Sequence, residues 1–267
     1  MLAMALCATL AGADNWVEVV QFAQLHKDWF ARFAHLPSGV PSHDTFARVF
    51  RLLDAQQSER ACLQWLQQLA GQVQGTVAID GKSVRGAKRG DGSRPHLVAA
   101  FDHNTGTVLG QLAVTAKSNE IPCVRDLLAC FDLSDVVVSV DAMHTQTDTA
   151  AAITDAGGDY VFTIKSNQPT LHRQVKALPW KDVPAHCVTD TGHGRRATRT
   201  IKVVTAPDWV DFPGARQVAQ VRRTVTTGGK KSVEVLYLLT SAMAPPATLA
   251  AWVQGHWGIE NKLHWVR

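Results

Sequence analysis

The chain contains 267 residues, of which 46% are hydrophobic and 19% are charged, and its formal net charge is +4. An apolar content this high with so small a net charge excludes a chain dominated by disorder, and the length allows one large domain or two small ones. The excess of 27 Lys and Arg over 23 Asp and Glu does not by itself identify a nucleic-acid-binding protein, because only clustering of those charges would do so.

The cysteines and the apolar segments indicate the compartment. The five cysteines are odd in number and form no Cys-x-x-Cys pair, which argues against a disulfide scaffold and against a zinc ribbon. Residues 1–13 are apolar but lack the basic start of a signal peptide. No segment reaches the roughly 20 uninterrupted apolar residues that span a membrane. We therefore expect a cytoplasmic protein without a membrane partner.

Residues 1–70 have the pattern of helices throughout. The apolar spacing predicts a first helix up to about residue 13 and a second over about 14–35. Ser42 follows a Pro- and Gly-rich loop and is a candidate N-cap for the third helix. A fourth helix is predicted over 58–70, and nothing in this region indicates catalysis. We interpret it as a helical N-terminal domain.

From residue 76 the periodicity changes to that of a sheet with helices. Strands are predicted at 76–79, 96–101, 107–114, 136–140 and 160–164, and helices at 120–131 and 145–156. Asn104-Thr105-Gly106 is typical of a hairpin between the second and third strands. The continuous apolar run 136–140 is typical of a strand buried on both faces. This order predicts an α/β fold, in which a mixed sheet with an antiparallel start and parallel later strands is flanked by helices.

Residues 185–240 change character again. Short β-type runs alternate there with the glycine turns Gly192-His193-Gly194 and Gly228-Gly229, which is typical of antiparallel β structure. We therefore predict a β-rich insertion over about 185–240. Pro245-Pro246 then opens a last helix, predicted over 247–267.

Two aspartates follow predicted strands directly. Asp80 ends the run 76–79, and Asp141 ends the run 136–140. Carboxylates at the ends of neighbouring strands meet at one edge of a sheet, where α/β proteins bind ligands. They repel each other unless a cation lies between them, and oxygen ligands suit Mg²⁺ or Mn²⁺. For each Asp alone, a helix cap or a turn is the alternative interpretation.

The last helix offers a third carboxylate. His256, Glu260 and His264 share one helical face at spacings of four residues. This spacing differs from the His-Glu-x-x-His zinc motif and argues against a zinc protease. The alternative is an ordinary amphipathic helix with exposed polar groups.

Four segments carry a family resemblance when they are taken in order along the chain. They are Pro41-Ser42-His43-Asp44-Thr45-Phe46-Ala47-Arg48-Val49-Phe50, Ala78-Ile79-Asp80-Gly81-Lys82, Val140-Asp141-Ala142-Met143-His144-Thr145-Gln146 and His256-Trp257-Gly258-Ile259-Glu260-Asn261. Together they resemble the H-repeat-associated (ISAs-type) insertion-sequence transposases of the DDE superfamily. The resemblance implies a transposase-associated helical domain at 1–70. It also implies an RNase H-like catalytic domain at 72–267, with the β-rich insertion at about 185–240 and the glutamate helix at about 247–267.

The resemblance also implies a function. Asp80, Asp141 and Glu260 would form the Asp-Asp-Glu triad that holds two Mg²⁺ ions, with Mn²⁺ as a substitute. The implied reaction is metal-dependent cleavage and strand transfer at insertion-sequence ends. The implied partner is double-stranded DNA of the element ends and the target, bound by a homo-oligomer in the bacterial cytoplasm and nucleoid. The alternatives are an RNase H-fold nuclease without strand transfer and a catalytically inactive remnant that retains DNA binding.

The chain departs from the family pattern around the glutamate. Related transposases often carry Tyr and Arg before it and Lys after it, whereas this chain has Val253, His256 and Arg267. Family members also continue past Arg267, so we expect a chain truncated at its C-terminus.

Basic and aromatic residues supply candidate DNA contacts. The DNA-binding candidates are Lys82, Arg85, Lys88, Arg89, Lys165, Asn167, Arg195, Arg196 and Trp257. Basic residues in glycine-containing loops suit phosphate contacts that position DNA without reading its sequence. Trp257, beside Glu260, could stack on a base. Arg195 and Arg196 begin a larger basic set within 195–231, for which a solvated strand face is the alternative.

Overall fold

The computed structural model describes residues 1–70, 73–84, 86–87, 92–114, 120–192 and 194–264. The chain divides into two compact units, Met1–Ala61 and Cys62–Arg267. The boundary between them falls inside a helix that runs over Ala55–Ala70.

The first unit is helical, as the sequence predicts. Its helices are α1 (Leu2–Leu10), α2 (Trp16–Leu25), α3 (Lys27–Phe30), α4 (His43–Leu52) and the start of α5 (Ala55–Ala70). The helix expected over 14–35 is interrupted at His26, whose backbone leaves the helical region. Ser42 is confirmed as an N-cap, since its side chain accepts a hydrogen bond from the Thr45 amide. Phe30 and Phe46 are fully buried in the core of this unit.

The second unit is built on one sheet. Its strands are β1 (Gly75–Ser83), β2 (His96–Asp102), β3 (Val108–Val114), β4 (Val136–Val140), β5 (Asp159–Ile164), β6 (Ala185–Gly192), β7 (Arg195–Thr205), β8 (Gln217–Thr227) and β9 (Lys230–Thr240). Among the described residues they form a nine-stranded sheet in the order β3-β2-β1-β4-β5-β9-β8-β7-β6. β1, β4 and β5 are parallel, while β2 and β3 are antiparallel to their neighbours. This strand order is that of the RNase H-like fold, and the predicted fold class is confirmed.

The β-rich insertion extends this same sheet. β9 pairs antiparallel with β5, with Phe162 opposite Leu239, and β8, β7 and β6 follow in turn. The sequence analysis predicts the strands of the insertion but not this continuity. The pairing gives the insertion two faces, and one of them packs against the last helix of the chain.

Helices cover both faces of the sheet. They are α6 (Glu120–Leu128), α7 (Thr147–Asp155), α8 (Pro169–Lys176) and α9 (Pro246–Gly258), which continues as a π-helix over Ile259–His264. β4 is buried on both faces as predicted, since Val138 lies in the core with α6 and α7, while Val137 lies in the core with α9. Helix α8 was not predicted. Within the described part of the chain, no helix has both the length and the apolar content to cross a membrane.

The end of β1 differs from the prediction. The strand was expected to end at Asp80, but it continues to Ser83 because its residues stay paired with β2. Its parallel pairing with β4 stops at Ile79, opposite Val140. Asp80 therefore lies where β1 loses one neighbour, beside the carboxyl end of β4.

Candidate active site

The three predicted carboxylates line one cleft. Asp80 comes from β1, Asp141 follows β4, and Glu260 comes from the π-helical end of the last helix. The cleft contains about 900 Å³, part of it open to solvent. The structure therefore brings together residues that are separated by 61 and 119 positions along the chain.

Asp80 is the most buried of the three carboxylates. The Gly81 amide donates to its Oδ1 at 2.9 Å. The pKa of Asp80 is raised to about 6, mainly by burial and in addition by the charges of Glu120, Asp141 and Glu260, while the Gly81 hydrogen bond acts to lower it. The charged form of Asp80 is therefore disfavoured by burial first and by the neighbouring carboxylates second.

Asp141 and its loop are held by the segment that follows β5. The Lys165 ammonium lies 3.3 Å from its Oδ1, and the Asn167 side chain donates to the Ala142 carbonyl at 2.6 Å. Burial acts to raise the pKa of Asp141, but the Ala142 amide, Lys165 and His256 together lower it below its ordinary value. Lys165 and Asn167 were predicted as DNA contacts, and the structure places both at the Asp141 loop.

Glu260 reaches the cleft because the residues before it pack closely on the sheet. Ile259 is fully buried against Ala78 and Phe101. One turn earlier, Gly255 lies so close to His103 that a Cβ at this position would overlap the imidazole. The exposed Glu260 follows Ile259 on a π-helix, a conformation that is frequent at functional sites.

His256 forms part of the floor of the cleft. Its Nδ1 lies 3.0 Å from the Ser139 hydroxyl, which itself donates to the Val77 carbonyl at 3.3 Å. The imidazole therefore donates to Ser139. Burial lowers the pKa of His256 to about 4, so the ring is neutral near pH 7. Trp257 lines the same cleft, and the Arg223 guanidinium lies 4.7 Å from the centre of its ring.

A fourth carboxylate, that of Glu120, lies close to Asp80 and is not among the residues predicted from the sequence. Glu120 accepts hydrogen bonds from Nε2 of His96 at 2.6 Å and from Nε2 of His144 at 2.9 Å. In the sequence, Glu120 is an acidic residue in the first turn of a predicted helix. Acidic residues are common there because the N-terminus of a helix carries partial positive charge, so Glu120 does not stand out. Each histidine is 24 residues away, so no local pattern could reveal the cluster.

The donor set of the cleft suits a hard divalent cation. Three carboxylates face the same space, and oxygen ligands are those that Mg²⁺ and Mn²⁺ prefer. Among the described residues, however, no group of three His, Cys, Asp or Glu side chains is close enough to hold one metal ion.

The basic candidates of the insertion divide between two faces. Arg195 and Arg196 are successive on β7 and project to opposite sides of the sheet. On the side away from α9, Lys181, Lys202, Arg222 and Lys231 line a groove together with uncharged residues. Lys82 lies on β1, while Arg85, Lys88 and Arg89 lie outside the described residues.

Two family models match the chain. The model described as "Transposase DDE domain" matches residues 71–267, and the model described as "DDE_Tnp_1-associated" matches residues 1–66.

Relatives match over most of their length. The chain is 38% identical over 258 residues to "Uncharacterized protein in dhlA 3'region" of Xanthobacter autotrophicus, covering 92% of this chain and 88% of that protein. It is 32% identical to "Putative transposase YncI" of Escherichia coli O157:H7, covering 100% of this chain and 73% of the relative. It is 31% identical to "H repeat-associated putative transposase YhhI" of Escherichia coli K12, covering 99% of this chain and 75% of the relative.

Among solved structures, the chain aligns with the piggyBac transposase of a synaptic complex with hairpin DNA. The alignment has a TM-score of 0.44 and 13% sequence identity, and it covers 87% of this chain and 52% of that chain. This chain therefore spans about half the length of that protein.

Proposed function

Since the chain belongs to the family of transposases with a DDE domain, we propose that it catalyses metal-dependent cleavage and strand transfer at the ends of an insertion sequence. Asp80, Asp141 and Glu260 are the proposed metal-binding triad. The observation that carries the proposal is that these three carboxylates, from three distant segments, line one cleft.

The chemistry follows from the positions of the three carboxylates. Two divalent cations bound there would lower the pKa of the attacking water or 3′-hydroxyl and stabilise the departing 3′-oxygen. Asp80, Asp141 and Glu260 would be the residues that hold these cations. The mechanism requires no covalent protein nucleophile, and the neutral His256 keeps positive charge out of the floor of the cleft.

DNA is the proposed partner, and the basic residues are its proposed contacts. Lys165 lines the cleft beside Asp141 and would contact a phosphate of DNA bound there. Trp257, already under Arg223, offers a ring on which a base can stack. We further propose that residues 1–70 and 72–267 form the helical and catalytic domains of a homo-oligomer that assembles on paired DNA ends.

The test is cleavage of DNA that carries the element ends, with Mg²⁺ or Mn²⁺ present. We expect Asp80→Asn, Asp141→Ala and Glu260→Gln each to reduce cleavage by about 10³-fold or more, because each removes a proposed cation ligand. DNA affinity, measured by fluorescence anisotropy, should remain within about twofold in all three variants.

Asp148→Asn is the matched control, because this exposed aspartate on α7 pairs with Arg125 away from the cleft. Full metal-dependent cleavage by Asp141→Ala would refute the triad. Cleavage without joined products, under conditions that supply target DNA, would identify a nuclease rather than a transposase.

A further inference from the structure

Glu120 has both carboxylate oxygens engaged beneath the surface. Its side chain is 15% exposed, and it accepts from His144 through Oε1 and from His96 through Oε2. Nδ1 of His96 in turn lies 3.0 Å from the Ser83 hydroxyl. Together these contacts form a chain from Ser83 through His96 and Glu120 to His144.

This chain joins the two segments that carry the proposed metal ligands. Ser83 lies on β1 three residues after Asp80, and it is opposite His96 where β1 pairs with β2. His144 ends the 3₁₀ turn that begins directly after Asp141. Glu120 therefore ties the strand that carries Asp80 to the turn that carries Asp141.

The contact on the His144 side is specific. The His144 ring is buried, with its side chain 1% exposed. Within the described part of the chain, its Nδ1 has no hydrogen-bond partner. The bond to Glu120 is thus the polar contact that sets the orientation of this ring.

Glu120 also touches the backbone next to Asp80. A Cβ on Gly81 would overlap both oxygens of the Glu120 carboxylate, so only glycine at this position permits the approach. The approach places the Glu120 carboxylate next to the residue that follows Asp80 in the chain. Hydrogen bonds and charge from His144 and His96 lower the pKa of Glu120 itself, although burial opposes this, so the carboxylate is ionised near pH 7.

We propose that Glu120 is a positioning residue for the metal site: it holds Asp80 and Asp141 in mutual register through His96 and His144. Its charge, next to Gly81, adds to the attraction of the cleft for divalent cations. The inference rests on the proposed function, because it presupposes that Asp80 and Asp141 bind the cation. A carboxylate that served only to join α6 to the sheet would not need bonds to both histidines and the close approach to Gly81.

The experiment measures the divalent-cation dependence of the full chain in two ways. One is the Mn²⁺ concentration that gives half-maximal DNA cleavage, and the other is the Mn²⁺ concentration that gives half of the metal-induced rise in Tm without DNA. For Glu120→Gln we expect both concentrations to rise about tenfold or more, the size usual for residues that orient metal ligands. DNA affinity should not change. Asp148→Asn, which also converts an acid to its amide and removes a contact between α6 and α7, should leave both concentrations unchanged.

A steric variant tests the same contact independently. Gly81→Ala should raise both Mn²⁺ concentrations, because its methyl group displaces the Glu120 carboxylate. In a protein that already carries Glu120→Ala, the substitution Gly81→Ala should raise the two Mn²⁺ concentrations only slightly further, since the overlapping carboxylate is gone. If the double variant shows the sum of the effects of the two single variants on the Mn²⁺ concentrations, the proposed contact between Glu120 and Gly81 is overturned.

Comparing the Tm of the metal-free protein with the two Mn²⁺ concentrations distinguishes a purely structural role of Glu120 from a positioning role. If Glu120→Gln lowers the metal-free Tm but leaves both Mn²⁺ concentrations at the wild-type values, Glu120 is only structural and the inference is wrong. If Glu120→Gln does not fold, His96→Gln removes one of the two hydrogen bonds, and an increase of about threefold to tenfold is expected. No change in His96→Gln would likewise overturn the inference. Retained cleavage in Asp80→Asn and Asp141→Ala would instead refute the proposed function.

Discussion

At the scale of single residues, the ionised carboxylate of Asp80 is electrostatically unfavourable in the folded chain. Its carboxylate is buried and surrounded by other carboxylates, so its charged form is disfavoured in the folded state. The sequence analysis identified Asp80 from its place near the end of a strand. It could not indicate the pKa, because burial and the charge of Glu120 depend on contacts between segments distant in sequence.

The raised pKa of Asp80 predicts a stabilising substitution. The ordinary pKa of 3.8 rises to about 6 in the folded chain, so the ionised carboxylate destabilises the metal-free fold above pH 6. A shift of about two units corresponds to about 3 kcal/mol as an order of magnitude. Asp80→Asn should therefore raise the metal-free Tm at pH 7.5. The gain should fade between pH 6 and pH 4, since the wild-type carboxylate becomes protonated in both states.

The measurement is thermal unfolding by circular dichroism across this pH range, with and without Mg²⁺. Mg²⁺ should raise the Tm of the wild type at pH 7.5 more than that of Asp80→Asn. A stability gain in Asp80→Asn that is independent of pH would contradict the electrostatic explanation.

At the scale of elements, the last helix matters through its contact surface rather than its sequence pattern. The sequence pattern puts His256 and Glu260 on one polar face, but the half-buried His256 contacts Ser139 while Glu260 is exposed. The change to a π-helix at Ile259 alters the spacing that an ordinary helix would give. Ile259 and Gly255 set how closely the helix approaches the sheet, and thereby where Glu260 lies.

The close approach at Gly255 predicts a strong effect of one methyl group. Gly255→Ala forces the last helix away from His103, because the added Cβ overlaps the imidazole. We expect cleavage to fall about tenfold to 100-fold, with a smaller loss in DNA affinity, since Glu260 is displaced.

Gly258→Ala is the matched control on the same helix. Its Cβ would lie 3.5 Å from Phe101 Cε1, an ordinary van der Waals distance, so cleavage should stay near that of the wild type. His103→Ala combined with Gly255→Ala should recover part of the activity, because the obstructing ring is removed. No recovery, or an equal loss in Gly258→Ala, would contradict the packing argument.

At the scale of the whole second unit, the continuous sheet gives the insertion two different faces. One face packs on α9 through Ile201, Val221 and Leu238 and carries Arg223 over Trp257. The opposite face carries the groove lined by Lys181, Lys202, Arg222 and Lys231. The basic set within 195–231 is therefore divided by strand alternation rather than gathered in one patch.

The basic groove predicts a measurable difference between adjacent lysines. Arg222→Ala and Lys231→Ala should each weaken DNA binding and reduce the slope of log affinity against log salt by about one, as expected for a lost phosphate contact. Lys230→Ala should change the slope less, because Lys230 projects to the other face. Anisotropy titrations at several salt concentrations measure both. An equal effect of Lys230→Ala and Lys231→Ala would contradict the assignment to one face.

The sequence by itself determined most of the helices and strands, with α8 as an exception, because apolar periodicity, caps and turn residues act over a few positions. It also pointed to Asp80, Asp141 and Glu260, since their motifs are local. Only the tertiary structure decided that β9 pairs with β5, that His256 contacts Ser139, and that Glu120 ties the Asp80 strand to the Asp141 turn. These features depend on contacts across 24 to 117 residues, and such contacts leave no local pattern in the sequence.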